Sequence, residues 1–286
     1  MKEITIPITV IGPGSQPSEE DGATLDYIVM PNEMDTFEIA NLPEPEDVEH
    51  LVDGLAALRR ICNELRTYNV DDEAVMIDIS DLDERNCIWV DQVLGHGEVS
   101  VVHQGGVRTD IQESVFAGVW RIQYVDATGA VIRDFVEISA IPDVVKSTTF
   151  IKVNEILGFD AENLPVGVMN ATALVTELND NIITWKAGDE PHVVNLSLLP
   201  HTPEDLVFLE DILGKGPVVI LSRGYGNCRI TSTATKNVWW VQYYNSQDVL
   251  ILNTIEVSSV PAVACASQED IEDSAKRVAE VMDIYA

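Results

Sequence analysis

The strongest constraint on this chain is that part of it occurs twice. Gly118-Val119-Trp120-Arg121-Ile122-Gln123-Tyr124-Val125 returns, altered, as Asn237-Val238-Trp239-Trp240-Val241-Gln242-Tyr243-Tyr244. Placing Leu94 over Leu213 fixes an offset of 119, which holds without a gap to Pro142 over Pro261, a window of 49 positions of which 14 are identical. Ten of the other 35 positions exchange one apolar residue for another. A period of this length is too long for a solenoid unit and suits a small domain, so the pattern reads as a tandem duplication of one domain. The organisation that follows is an acidic extended arm over 1–43, a first repeat over 44–142, a linker over 143–164, a second repeat over 165–261 and a C-terminal helix over 262–286. A length of 286 residues agrees with two domains.

The formal charge of −31 removes whole classes of partner. Between Lys2 and Arg59 there are 13 carboxylates and no basic residue. Such a surface repels phosphate, which argues against nucleic acid and anionic membrane as partners. The arm reads either as a solubilising segment or as one that steers a basic partner. Gly12-Pro13-Gly14-Ser15-Gln16-Pro17 is not followed by the Gly-Lys-Ser or Gly-Lys-Thr of a phosphate loop. Cys62, Cys87, Cys228 and Cys265 lie 25, 141 and 37 residues apart, with none of the close pairs that hold zinc or an iron–sulfur cluster. No histidine is shared between the repeats: His96 and His103 become Lys215 and Ser222. Neither a metal, nor a cofactor, nor a catalytic cluster is therefore expected. Lys2-Glu3 opens no secretory leader, and no run is long enough to cross a membrane, so a cytoplasmic location with reduced thiols is expected.

The fold class expected is α+β, with a helix packed on an antiparallel sheet in each repeat. Val48, Leu51, Val52, Leu55, Leu58, Ile61 and Leu65 recur at helical spacing after Pro45. A weaker helical run spans 166–178, and placing Glu177 over Glu64 implies a six-residue insertion near 185–192. Strands are expected over 76–79, 98–103, 109–114, 119–125 and 131–140, and again at the equivalent positions of the second repeat. The linker is expected to hold a short strand or helix over 150–157. Ser267 caps a last helix whose apolar face carries Ile271, Ala275, Val278, Met282 and Tyr285. Strand alternation sets Trp120, Ile122 and Tyr124, like Trp239, Val241 and Tyr243, towards the helix. By the same reading, Gln123/Gln242 and Glu137/Glu256 point outward.

Candidate binding residues cluster in the second repeat. Arg223-Gly224-Tyr225-Gly226-Asn227-Cys228-Arg229 is a glycine-flanked basic turn, and Lys215, Arg223, Arg229 and Lys236 place four of the chain's 17 basic residues within 22 positions. The turn reads either as an ordinary hairpin or as a recognition loop exposing Tyr225, with Cys228 beside Arg229 as a reactive thiol. Gln242 and Glu256 read either as a cross-strand polar pair or as part of a partner surface, with Trp240 and Tyr244 as apolar anchors.

Leu213-Gly214-Lys215-Gly216-Pro217, the Arg223–Ile230 turn, Asn237-Val238-Trp239-Trp240-Val241-Gln242-Tyr243 and Asn253-Thr254-Ile255-Glu256-Val257 resemble the HupH/HyaF type of hydrogenase expression/formation proteins. Gly95-His96-Gly97-Glu98-Val99 and Gly118-Val119-Trp120-Arg121 carry the related pattern in the first repeat. Gly12-Pro13-Gly14-Ser15-Gln16 and Leu42-Pro43-Glu44-Pro45-Glu46 extend it through the arm. The resemblance implies a non-enzymatic accessory protein for nickel–iron hydrogenase maturation, a chaperone of the iron–sulfur small-subunit precursor before export and assembly. It supplies a partner class and no catalytic residues. Two other readings stand beside it: a scaffold, as a homodimer, that recruits other maturation proteins, and a thiol-dependent enzyme using Cys228. If Trp120 and Trp239 are core residues, truncation of either to Ala should cost about 3–5 kcal/mol, read by denaturant unfolding; a loss within the range of surface substitutions would place them outside the core.

Overall fold

The computed structural model describes residues 42–224 and 226–285. The 1–41 part of the acidic arm and Tyr225 lie outside the described residues. The chain runs through α1 (Pro45–Val48), α2 (Val52–Leu65), β1 (Val75–Asp78), α3 (Glu84–Leu94), β2 (Val99–His103), β3 (Arg108–Glu113), β4 (Val119–Val125), β5 (Val131–Ile138) and α4 (Asp143–Thr148). It continues through α5 (Ala171–Thr184), β6 (His192–Asn195), α6 (Pro203–Leu213), β7 (Val218–Ser222), β8 (Asn227–Ser232), β9 (Val238–Tyr244), β10 (Leu250–Val257) and α7 (Gln268–Ile284), with short 3-10 turns at 196–198 and 262–264. The class is α+β. The ten strands form one antiparallel sheet in the order β1-β5-β4-β3-β2-β7-β8-β9-β10-β6. The two halves meet where β2 pairs with β7, Val101 opposite Ile220.

The element order of the first half returns in the second. Ala171 follows Val52, and Thr184 follows Leu65, by the same 119 positions that relate the strands. This corrects the expected six-residue insertion, which came from matching Glu177 with Glu64 one and a half turns out of register. Sequence reading also passed over α3 and α6, whose apolar residues are interrupted by charges. Both begin at strong caps: Asp83 accepts from the Asn86 N–H, and Thr202 and Asp205 form a reciprocal capping box. The helix expected from Pro45 breaks at Leu51 into α1 and α2, which leaves Val52 exposed. In the linker the helix falls at 143–148 instead of 150–157. The last helix begins as expected, Ser267 Oγ accepting from the Asp270 N–H at 3.2 Å.

Both sheet faces are covered, and this reverses the expected facing. On one face α2, α3 and α7 bury Leu58, Ile61, Trp89 and Val93 against Val119, Val136 and Ile138. On the same face α5 and α6 cover Val238, Trp240, Ile255 and Val257. Trp120, Ile122, Trp239 and Val241 are buried as core, but on the opposite face, under α4 and the 262–264 turn. Phe150 meets Trp239 edge-on at 5.2 Å. Gln123 and Gln242 therefore face the helices. Glu137 lies directly across from Trp120, and Glu256 across from Trp239, so both share the tryptophan face. Glu137 is fully buried, and its Oε1 accepts the Asp143 N–H at 2.7 Å, where α4 begins.

One side chain on the second helix of each pair fixes the start of the first. Asn86 Oδ1 accepts the Gly54 N–H at 2.8 Å. At the equivalent position, Asp205 Oδ1 accepts the N–H groups of Met169, Asn170 and Ala171 at 2.8, 3.0 and 3.0 Å, and its Oδ2 accepts that of Thr202 at 2.9 Å. Burial opposes ionisation of Asp205, but these donors outweigh it and pull the carboxyl down to about 2. A depressed carboxylate stabilises the fold above its unfolded value of about 3.9 and loses that contribution as pH falls through the folded value. Asp205→Ala should therefore lower stability at pH 7 by about 2–4 kcal/mol. Urea unfolding of wild type and variant should show the gap closing as pH falls from about 4 towards 2; a pH-independent gap would remove the charge from the account.

Candidate functional site

The helix-side face of the sheet is not covered uniformly. Next to the β2–β7 junction a cavity of about 250 Å³ opens, lined by Asp91, Gly95 and His96 from α3 and its end, Ser100 and Val102 from β2, Arg108, Asp110 and Gln112 from β3, and Arg121 and Gln123 from β4. Strand alternation brings Arg108, Asp110 and Gln112 to the same face as Arg121 and Gln123.

Arg121 is the centre of this site. Its Nη2 donates to Asp134 Oδ2 at 2.7 Å and to Cys87 Sγ at 3.2 Å, its Nε donates to Asp134 Oδ1 at 3.2 Å, and Nη1 pairs with Asp91. Burial opposes the guanidinium charge, but the hydrogen bonds and charge of Asp134, with Asp91, more than offset it. Gln123 Nε2 donates to the same Asp134 at 3.0 Å. Arg108 pairs with Asp110 at 2.9 Å. The cavity thus sets paired charges among apolar side chains such as Leu94, Val102 and Ile111, a surface suited to a partner with both polar and apolar groups; among the described residues no group of three potential metal ligands occurs.

The second repeat fills the equivalent place. Trp240 replaces Arg121 and is enclosed by the α5–α6 core, its Nε1 donating to Asn253 Oδ1 at 2.5 Å. Asn253 holds the place in the second half that Asp134 holds in the first, so the donor–acceptor pair keeps its place with different chemistry. Trp240 consequently presents no exposed ring. Gln242 is also buried and accepts from Tyr244 Oη at 3.2 Å. Asn227, Arg229, Gln242 and Tyr244 share the helix-side face with the cavity residues, Arg229 standing opposite Gln242 and Asn227 opposite Tyr244. Arg223 is exposed at the neighbouring turn, where its N–H donates to the Glu98 carbonyl at 3.1 Å. A Cβ added at Gly224 would fall 2.0 Å from Glu98 Oε2, the far end of a flexible side chain, so the turn packs closely against Glu98 and a larger residue here would displace that carboxylate.

Cys228 and Glu256 are on the other face, apart from that group. Cys228 is buried beside Tyr243, and Arg229, its neighbour in sequence, points to the opposite side of the strand. The expected activation of the thiol by Arg229 is therefore corrected. Burial pushes Cys228 up to about 12, with a small opposing contribution from Tyr243. Glu256 is raised by burial, against a hydrogen bond from Thr254. The residues the sequence reading missed are Asp91, Arg108, Asp110 and Asp134. The available signal was the non-conserving exchange of Arg121 for Trp240 within an otherwise matched strand, which marks a place where the two halves differ in chemistry.

Comparison with known proteins places the whole chain. The model of the HupH hydrogenase expression protein, C-terminal conserved region, matches residues 51–149 and 168–285, one stretch in each half. A hydrogenase expression/formation protein HoxQ of Cupriavidus necator is 43% identical over 99% of this chain and 98% of its own. HupH of Rhodobacter capsulatus is 43% identical over 97% of both, and the hydrogenase-1 operon protein HyaF of Escherichia coli K12 is 27% identical over 95% and 94%. A solved hydrogenase expression protein HupH from Thiobacillus denitrificans matches 40% of this chain and 94% of its own at 31% identity, with a TM-score of 0.34. The chain belongs to the HupH/HoxQ/HyaF family of hydrogenase expression/formation proteins. Among the described residues no helix is long and apolar enough to cross a membrane.

With its thiol buried and protonated, Cys228 should resist alkylation in the folded protein at pH 7–8 and react only on unfolding. Mass-spectrometric mapping of iodoacetamide adducts tests this; rapid native-state labelling at Cys228 would restore the reactive-thiol reading.

Proposed function

We propose that this chain is a non-catalytic accessory protein of nickel–iron hydrogenase maturation, acting in the cytoplasm as a chaperone of the iron–sulfur small-subunit precursor before its export and assembly. The observation that carries the reading is the match to expression/formation proteins along nearly the full length of the chain. A protonated, enclosed Cys228 accords with the absence of a thiol mechanism. The repeated element order and the shared offset support an origin by duplication of one α+β unit.

The contact surface we assign is the centre of the helix-side face. Arg223, Asn227, Arg229 and Tyr244, with Tyr225, would meet the precursor, and the Arg121 cavity would receive part of it. Trp240 and Gln242 support that surface from below, and Cys228 and Glu256 hold the sheet from its other side. A chain of charge −31 that keeps several basic groups on this strip offers two kinds of surface, which favours orientation of a partner over simple attraction.

Purified protein should capture the purified small-subunit precursor without any other maturation protein. Combined Arg223→Ala, Arg229→Ala and Tyr244→Ala substitutions should weaken capture by about tenfold or more while leaving the unfolding midpoint nearly unchanged. Capture that appears only when other maturation proteins are added would favour the scaffold reading instead.

A further inference from the structure

Outside the central strip, exposed apolar side chains are concentrated between the linker and α6. Of the 19 large apolar side chains exposed among the described residues, 11 lie between Ile151 and Val207. A set of them gathers where α5 and α6 begin. Val166 is 95% exposed, Leu198 79% and Met169 72%, with Phe159, Leu164 and Leu199 more than a third exposed.

Their proximity is fixed by hydrogen bonds between the two loops that bear them. Asp205 holds the backbone of Met169 and Asn170, Asn170 Nδ2 donates to the Pro200 carbonyl at 2.8 Å, and Thr202 Oγ1 donates to the Gly167 carbonyl at 2.9 Å. Phe159 rests edge-on against Phe208 of α6 at 5.9 Å. The loops before α5 and α6 are therefore tied to one another, which sets Val166 and Met169 on one side of the link and Leu198 on the other. Large apolar side chains exposed together on loops held by hydrogen bonds are candidates for an interaction site.

Charge selects the occupant. Residues 154–214 contain 11 carboxylates and one lysine. Asp160 and Glu162 are exposed between Phe159 and Leu164, and the Glu204 side chain lies against Gly167, next to Val166. A second copy would bring the same charge, in a molecule already at −31, onto this rim. We propose that the patch is a docking surface for a partner polypeptide segment that is amphipathic and basic, its apolar face on Val166, Met169 and Leu198 and its lysines or arginines over the surrounding carboxylates. This surface is separate from the central strip and does not depend on which hydrogenase component binds there.

The probe is a fluorescein-labelled amphipathic helical peptide with leucines on one face and lysines on the other, measured by anisotropy against the full chain. Two controls accompany it, one with glutamates in place of the lysines and one with serines in place of the leucines. The Leu/Lys peptide should bind, with affinity falling as salt rises, and both controls should bind at least about tenfold more weakly. The triple variant Val166→Ser, Met169→Ser, Leu198→Ser should lose about tenfold or more for the Leu/Lys peptide, with an unchanged unfolding midpoint because these side chains are exposed. Asp160→Asn, Glu162→Gln, Glu204→Gln should weaken binding and flatten its salt dependence. Equal binding by wild type and the serine variant would overturn the proposal, since attraction would then come from net charge alone. Equal binding of the Leu/Glu peptide would overturn the charge selection. Self-association of wild type that the serine variant abolishes, read by sedimentation, would assign the patch to a second copy and overturn it likewise. Precursor capture by the serine variant distinguishes failure here from failure of the central-strip assignment.

Discussion

The architecture depends on the pairing of β2 with β7. Each half by itself would present a five-stranded sheet ending in an edge of valines and isoleucines, Val99, Val101 and Val102 on one side and Val218, Val219 and Ile220 on the other. Such edges leave backbone donors and acceptors unpaired and invite association. Joining them satisfies both ladders and makes the most apolar strands central, leaving only the four-residue strands β1 and β6 at the rims. The junction also merges the tryptophan faces of both halves into one core spanning Trp120 and Trp239, while on the helix side each half keeps a core of its own. Side chains near the join are held to positions set by both repeats, and this is where the polar strip lies.

The two halves place different chemistry at matching positions of that strip. The pair at positions 121 and 134 is an arginine on a carboxylate, and at 240 and 253 an indole on an amide. A buried ion cluster costs desolvation that only close partners repay. The first repeat repays it through Asp134 and Asp91 around an open cavity, and the second fills the space with a ring. A similar difference separates Asn86 from Asp205. Both cap a neighbouring helix, but the carboxylate gathers four backbone donors where the amide oxygen takes one.

Much of this was legible in the chain and some of it was not. The strands of both halves and the apolar face of α7 follow from alternation, helical spacing and turn residues. The burial of Trp120 and Trp239 was legible as well, since identical large aromatics at matched positions rarely serve a surface. Their facing was not, because alternation gives two faces without saying which one the helices cover; on a sheet covered on both sides the tryptophan face need not be the helix face. Glu137 was misplaced for a related reason: its face is fixed by register with Trp120 on the next strand, a non-local fact. The Arg121 site needed α3, whose cap at Asp83 was readable but whose stripe is broken by Glu84, Arg85 and Asp91. The Trp240 assignment erred because an aromatic where the first half has an arginine looks like a surface anchor, whereas the ring is packed inside the α5–α6 core.

The placement of α7 bears on how the chain is made. Ile271, Val278, Met282 and Tyr285 belong to the core of the first half, where α7 lies on α2 and the Tyr285 hydroxyl donates to the Pro43 carbonyl at 2.9 Å. Trp89 meets the Tyr285 ring edge-on at 5.3 Å. During synthesis, residues 42–142 emerge long before this helix exists, and their apolar α2–α3 surface must wait uncovered until nearly the whole chain has left the ribosome. The first half to be translated is thus the last to be completed, which ties its folding to the arrival of the chain's final helix.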